Sequence, residues 1–438
     1  MNSGIFLGLL VFFPFVGAAL CAVAGRKSEL YRDYLADILV VFEFLTALLL
    51  FIFLAKRAYT GENVAFLAVP EICGLGLTFE ADGFRLVYAL VTSLMWMMTT
   101  ILSREYSRGH SNTNRYYLFL LLTLGATMGV FLSADLFTTF VFFEIMSFTS
   151  YVWVAQEETA QSLRAAQTYL AVAVTGGMVL LMGVFLVYHV LGTGRISELA
   201  GVAASCEEKS VLYAAGLCML FGFGAKAGAF PLHIWLPKAH PVAPAPASAL
   251  LSGVLTKTGV YGIIILTAHL FAGNERWGML ILVLGVLTMF GGALLAVFSV
   301  DLKRTLACSS MSQIGFILIG IGMMGLLGEE SALAVHGTML HMVNHSMIKL
   351  VLFMAAGVIF MNTHALDLNE IRGYGRKKPL LKGIFAVGAL AIGGIPLFGG
   401  YISKTLLHES IVEYAGGIGF TVIEWIFLIS GGMTVAYM

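Results

Sequence analysis

The chain has 438 residues, of which 59% are hydrophobic and 11% charged, and its mean hydropathy is +0.91. A soluble protein carries roughly 25% charged residues; with so few, a chain of this length cannot cover a water-facing surface, which excludes a soluble globular enzyme. The 25 Lys+Arg and 25 Asp+Glu cancel, so there is no basic field to hold nucleic acid.

A transmembrane helix needs about 20 apolar residues. Runs of that kind lie near 4–24, 35–55, 84–102, 116–133, 136–155, 166–190, 211–230, 246–271, 278–299, 304–327, 332–360, 381–400 and 417–438. The first lacks a basic n-region and a small-residue cleavage site, so it reads as a span and not as a signal peptide. With the N-terminus outside, fifteen Lys and Arg fall in inner loops, six in outer loops and four inside apolar runs. That bias sets the orientation and predicts a multi-pass protein of the cell (plasma or inner) membrane. The chain stops at Met438 inside an apolar run, so a last helix or extension is expected beyond it, for 13–14 spans in all. Cys21, Cys73, Cys206, Cys218 and Cys308 form no CxxC or CxxH pair; no iron–sulfur, zinc or disulfide framework is signalled, and no cofactor is expected.

Two stretches match at a fixed offset. Ser133-Ala134-Asp135-Leu136 follows the fourth run and Ser299-Val300-Asp301-Leu302 the ninth, 166 residues later. Phe230-Pro231-Leu232 interrupts the seventh and Ile395-Pro396-Leu397 the twelfth, 165 residues later. Leu251-Ser252-Gly253 is echoed by Ile429-Ser430-Gly431. The expected fold is an all-α polytopic bundle with two five-helix repeats, spans 4–8 and 9–13, each holding a Pro-broken helix. Five is odd, so the second unit is inverted, the plan of ion-coupled transporters, in which paired helix breaks point to the ion site. The units read as 1–110, three N-terminal spans; 111–275, first half-channel; and 276–438, second half-channel.

A charge at mid-bilayer costs at least ~2.5–3.5 kcal/mol, so each ionisable residue inside a run calls for a reason. Glu144 lies in the fifth run, Lys226 just before the first break, Lys257 in the eighth run, Lys349 in the eleventh and Lys404 just after the second break. Burial disfavours charge and a nearby opposite charge restores it, so these groups suit a proton relay. A locked Glu144–Lys226 pair or snorkelling lysines are the alternatives. His341, His345 and Lys349 follow one another at i, i+4, i+8 on one helix face, with His336 before them; the stripe reads as a proton path or as hydrogen-bonded core histidines. A zinc pair lacks a third ligand, and no metal is expected. His240 is expected at the inner mouth of the first break. Asp37 and Glu43 read as interfacial. Asp135 and Asp301 read as helix ends at a surface, Asp135 with a further role in carrying protons near Glu144.

The stretch AKAGAFPLHIWLPKAHPVAPAPASALLSGVLTKTGVYG, with HMVNHSMIKLVLF and GIPLFGGYISK, resembles the signatures of the antiporter-like membrane subunits of respiratory complex I, energy-converting membrane-bound hydrogenases and Mrp-type Na+/H+ antiporters. The resemblance covers about residue 80 onward. It implies a redox-inactive, proton-translocating subunit of a complex I-like NADH:quinone oxidoreductase or energy-converting hydrogenase, or alternatively a subunit of an Mrp antiporter. It also implies two half-channels joined by a midplane axis: Glu144 with Lys226, then Lys257, then Lys349 with His341 and His345, then Lys404. Expected partners are other membrane subunits, including further antiporter-like ones, the lipid bilayer, a possible soluble redox arm, and protons or Na+. The second repeat departs from the first: Ser310 stands where a second Glu144 would fall, and Val435 where a second Lys257 would.

Overall fold

The computed structural model describes residues 3–58, 65–70, 74–414 and 418–438; Cys73 lies outside them. Long apolar runs whose backbone polar groups must be satisfied internally form helices. The N-terminal helices are α1 (Ser3–Lys27), α2 (Glu29–Ala58) and α3 (Gly83–Tyr106). The first repeat is α4 (Thr113–Phe131), α5 (Leu136–Val154), α6 (Ala160–Leu191), the short α7 (Ile196–Ser205), α8 (Lys209–Ala227), α9 (Leu236–Val242), α10 (Ala245–Leu250) and α11 (Thr256–Ile265). The second is α12 (Glu275–Val297), α13 (Leu302–Leu327), α14 (Ala332–Thr363), α15 (Pro379–Gly393), α16 (Gly399–Glu413) and α17 (Ile418–Tyr437).

Among the described residues, eleven helical runs are long and apolar enough to cross a membrane. The 19-residue α4 and the α15–α16 pair account for the other two of the thirteen runs in the sequence. Two elements fall outside that pattern. One is α7. The other is an antiparallel hairpin of β1 (Ala65–Val69) and β2 (Leu77–Ala81), in register Ala65↔Ala81 to Val69↔Leu77. Glu80 N–H donates to the Leu132 carbonyl and Ala134 N–H to the Thr78 carbonyl, which ties the hairpin to the α4–α5 turn.

The repeat is visible in the backbone. Asp135 accepts from Thr138 N–H at 2.7 Å and caps α5, while Asp301 accepts from Arg304 N–H at 2.8 Å and caps α13. Each also forms an isolated bridge with the chain entering from further on, Asp135 with Arg195 and Asp301 with Asp367. α8 ends on Gly228 at φ 75° and α15 on Gly394 at φ 79°, the left-handed conformation that glycine adopts without strain. Pro231 and Pro396 then prevent each helix from resuming directly. The third echo is not structural: Leu251–Leu255 is a π-helical turn, whereas 429–431 lies in regular helix.

Burial shows where the centre is. Along the Ala245–Leu270 span an 18-residue stretch is wholly buried, against 39% of the matching stretch in α1 and in α2, so the eighth span is the middle of the bundle and the N-terminal pair its flank.

Candidate functional site: a buried row of lysines and histidines

Glu144 lies on α5, half-buried, with its Oε1 enclosed and without a hydrogen-bond partner. α6 passes it at Gly177, where an added Cβ would stand 2.1 Å from Oε1, so the absence of a side chain makes the space for the carboxyl. Lys226 is buried in the last turn of α8, and its Nζ donates to Tyr169 Oη at 2.7 Å and Ser147 Oγ at 3.2 Å. Tyr169 Oη and Ser150 Oγ are 2.6 Å apart. Hydroxyls both donate and accept, so this shell serves the amine with or without its extra proton. Trp235 Nε1 donates to the Ala225 carbonyl at 2.8 Å and fixes the end of α8. Beside the amine, Ser147, Tyr169, Lys226 and Trp235 help line a cavity of about 10 Å³, the size of about one water. Glu144 and Lys226 make no direct ion pair; hydroxyls serve the lysine instead.

Lys257 is fully buried. Its Nζ donates to the Ser252 carbonyl at 2.7 Å and lies 2.5 Å from His345 Nδ1. The carbonyl belongs to the π-helical turn, a local widening that releases backbone groups from the regular helical ladder. Ser252 Oγ meets Ser310 Oγ at 2.6 Å, so the two repeats touch through hydroxyls beside this lysine.

In the second repeat the His341–His345–Lys349 stripe divides among three neighbours. His345 joins Lys257. His341 bonds Ser403 Oγ through Nδ1 at 2.9 Å and Gln313 Oε1 through Nε2 at 3.0 Å. Lys349, fully buried, donates to the Leu306 carbonyl at 2.8 Å and to the Ser309 hydroxyl on α13. Lys404 reaches back across the helix break to the Ile392 carbonyl at 2.8 Å, and its Nζ lies 4.8 Å from the Phe316 ring centroid. None of the four lysines snorkels to a surface: each is at most 8% exposed. Glu144, Lys226, Lys257, Lys349, Lys404, His341 and His345 thus all lie in the interior, though in local groups and not as one hydrogen-bonded chain.

Three expectations are corrected. Glu43 on α2 is 1% exposed, and neither carboxyl oxygen has a partner, so it is enclosed and not interfacial. His240 is wholly enclosed between Trp235 and Phe353 with both ring nitrogens unpartnered, not at an open mouth. Lys303, one of the fifteen basic residues counted in inner loops, is buried at the start of α13 and donates to the Ala243 carbonyl at 2.8 Å, so it is not a loop residue. His336, which precedes the stripe on α14, is exposed. The residues that sequence reasoning missed are the partners Ser147, Ser150, Tyr169, Ser309, Gln313 and Ser403. The signal was there: small polar residues inside apolar runs must find bonds. Among the described residues no group of three or more His, Cys, Asp or Glu is placed to hold a metal.

Residues 133–430 match the family described as NADH:quinone oxidoreductase/Mrp antiporter, transmembrane. The chain belongs to this family. Its relatives include a Na(+)/H(+) antiporter subunit of Alkalihalophilus pseudofirmus, 29% identical over 408 residues, which are 93% of this chain and 80% of that protein. Hydrogenase-4 component B of Escherichia coli is 30% identical across 86% of this chain, which spans 58% of that relative's length. Among solved structures, a chain of the Mrp complex from Dietzia sp. superposes with a TM-score of 0.88 at 25% identity, covering all of this chain and 79% of that one. A chain of an archaeal membrane-bound sulfane sulfur reductase, at 23% identity and a TM-score of 0.85, has the same fold. The chain is therefore a multi-pass membrane protein of an antiporter-like subunit family, whose members sit in multi-subunit membrane complexes.

Proposed function

We propose that this chain is a redox-inactive, proton-translocating membrane subunit of a complex I-like NADH:quinone oxidoreductase or an energy-converting hydrogenase. Protons move between Glu144 and Lys226, through Lys257 and His345, past His341 and Lys349, to Lys404. The observation that carries this reading is the set of four buried lysines bonded to hydroxyls and carbonyls instead of to acids. Burial penalises a fixed positive charge, whereas neutral partners let an amine gain or lose a proton without breaking an ion pair. Residues 1–110 form the N-terminal flank, 111–275 the first half-channel and 276–438 the second. The N-terminus faces outward from the cell membrane, with the basic loops inside. Further antiporter-like subunits and a soluble redox arm complete the complex.

A second reading, an Mrp-type Na+/H+ antiporter subunit, is favoured by the similarity to the Alkalihalophilus pseudofirmus antiporter protein over 93% of this chain. Vesicles carrying the assembled complex separate the two. Proton uptake that requires an electron donor and is lost in Glu144→Gln, with electron transfer retained, supports the first. A pH change driven by Na+ without any donor supports the second. Undiminished translocation by an assembled Glu144→Gln variant overturns both.

A further inference from the structure

Between the α14–α15 loop and the second helix break lies a cavity of about 480 Å³ to which none of the buried lysines contributes. Its walls are apolar: Ile359 of α14, Phe385, Ala389 and Leu390 of α15, and Val435 of α17. Leu390 and Val435 are exposed, so the groove opens sideways towards lipid. It runs along α15 from Lys382 to Gly393. At 1.5 Å a residue that stretch is about 16 Å long, roughly half of a 30 Å hydrocarbon core and so the depth of one leaflet. The loop end of the groove is charged. The stretch 371–382, IRGYGRKKPLLK, carries Arg372, Arg376, Lys377, Lys378 and Lys382 and no acid. All five are exposed, and among the described residues none forms an ion pair, although Asp367 and Glu370 stand just before them in the chain. Lys382 itself lines the groove, its stem lying along Gly375, where an added Cβ would stand 3.3 Å from Lys382 Cβ. Tyr374, in the same short turn as Gly375, also lines it, and its hydroxyl is enclosed without a hydrogen-bond partner.

We propose that this groove binds one anionic phospholipid, with an acyl chain along α15 and the phosphate headgroup among the cations of the α14–α15 loop. The inference is independent of which ion the lysine row carries. An apolar groove that faces a bilayer fills with acyl chains whatever their headgroup, so the selection is made by the charge at its end. Five cations without acids attract a headgroup of net negative charge, as basic pockets between membrane helices do, and gain little from a zwitterionic one. Arg and Lys donate charge-assisted hydrogen bonds to phosphate oxygens, and the Tyr374 hydroxyl adds a neutral donor whose want of a partner is otherwise costly. An apolar helix of another subunit fills the walls but leaves the cations without counter-charge. Free phosphate meets the cations but leaves the apolar length empty. A phospholipid satisfies both ends.

The test places the assembled complex in phosphatidylcholine vesicles doped with phosphatidylglycerol or phosphatidylcholine that carries a diazirine in its acyl chain, and maps the labelled peptides by mass spectrometry. The phosphatidylglycerol probe is expected to label the groove residues within 385–395 and 435–438 at least several-fold more than the phosphatidylcholine probe does. Unlabelled phosphatidylglycerol is expected to compete it away, and inorganic phosphate at matched ionic strength is not. Arg376→Gln, Lys377→Gln, Lys378→Gln and Lys382→Gln combined are expected to lower phosphatidylglycerol labelling at least several-fold and to leave phosphatidylcholine labelling as it was. Ala389→Trp, which fills the groove and keeps the cations, is expected to lower both. Equal labelling by the two probes in the parent complex assigns the groove to bulk lipid and overturns the site. Displacement by inorganic phosphate makes it a site for a free anion and overturns the lipid. Labelling of the groove by neither probe means that protein covers it in the complex, which overturns it as well. Should the fourfold variant fail to assemble, Lys382→Gln alone decides: an unchanged preference for phosphatidylglycerol overturns the proposal.

Discussion

The two repeats share a backbone and differ in where they keep their charge. Both begin a helix on an aspartate cap and both break a later helix after a left-handed glycine. In the first, the carboxyl of Glu144 is set inside the membrane against Gly177, with Lys226 near it among hydroxyls. In the second, the equivalent of Glu144 is Ser310, which bonds Ser252 across the repeat boundary, and the equivalent of Ser147 is Gln313, which bonds His341. The acids that flank His408, Glu409 on α16 and Glu424 on α17, are far more exposed than Lys404. A repeated backbone therefore fixes where a helix can open but not which ion it presents, because the break depends on a few φ/ψ values and a proline, while the charge depends on single side chains.

The difference can be broken most severely at Glu144. Glu144→Gln is expected to lower proton translocation on the order of 100-fold, while Ser310→Ala, at the matching position, leaves it within about twofold because no base is lost there. A pH-sensitive dye in vesicles reads both. Gly177→Ala tests whether the space beside the carboxyl matters: its Cβ would stand 2.1 Å from Glu144 Oε1, so the acid must move. A displaced reacting group costs about 10–100-fold, whereas Gly431→Ala, with nothing within 4 Å, serves as an unaffected control in the same assay.

Smaller effects fall on stability. Gln313→Ala leaves His341 Nε2 buried without its partner and is expected to cost about 1–3 kcal/mol, measured as a shift in the thermal or denaturant midpoint in detergent. A midpoint unchanged from that of the parent would show that the bond is not maintained. The two aspartate caps provide the finest comparison. Asp301→Ala removes one cap bond and is expected to cost about 1 kcal/mol. Asp135 also accepts from the hydroxyls of Thr78 and Thr138, so Asp135→Ala is expected to cost about 1 kcal/mol more. Equal losses would mean that the two hydroxyl bonds to Asp135 contribute nothing to the first repeat.

Much of the fold was legible. The apolar runs gave thirteen spans because a bilayer imposes a length, and the Phe-Pro-Leu and Ile-Pro-Leu breaks paired the repeats because proline cannot continue a helical ladder. The buried lysines stood out because a charge in hydrocarbon is costly enough that few arise without cause. The groups around them were less legible. Helical spacing put His341, His345 and Lys349 on one face, but a face of that height meets several helices: α11 takes His345, α13 takes Lys349, and α13 and α16 share His341. Glu43 read as interfacial because its position in the run could not show that neighbouring helices close over it.

By itself, then, the sequence determined where the long apolar runs lie, where two of its helices break and that four lysines fall inside those runs, since each follows from local composition and the cost of exposing polar groups to lipid. Only the tertiary structure decided which hydroxyl or carbonyl meets each amine, that Glu144 and Lys226 stand near each other without pairing, and that His408 lies between two acids. Those contacts join residues up to 88 positions apart, as Lys257 and His345 are, and distances across a bundle are set by helix packing, which no single run records.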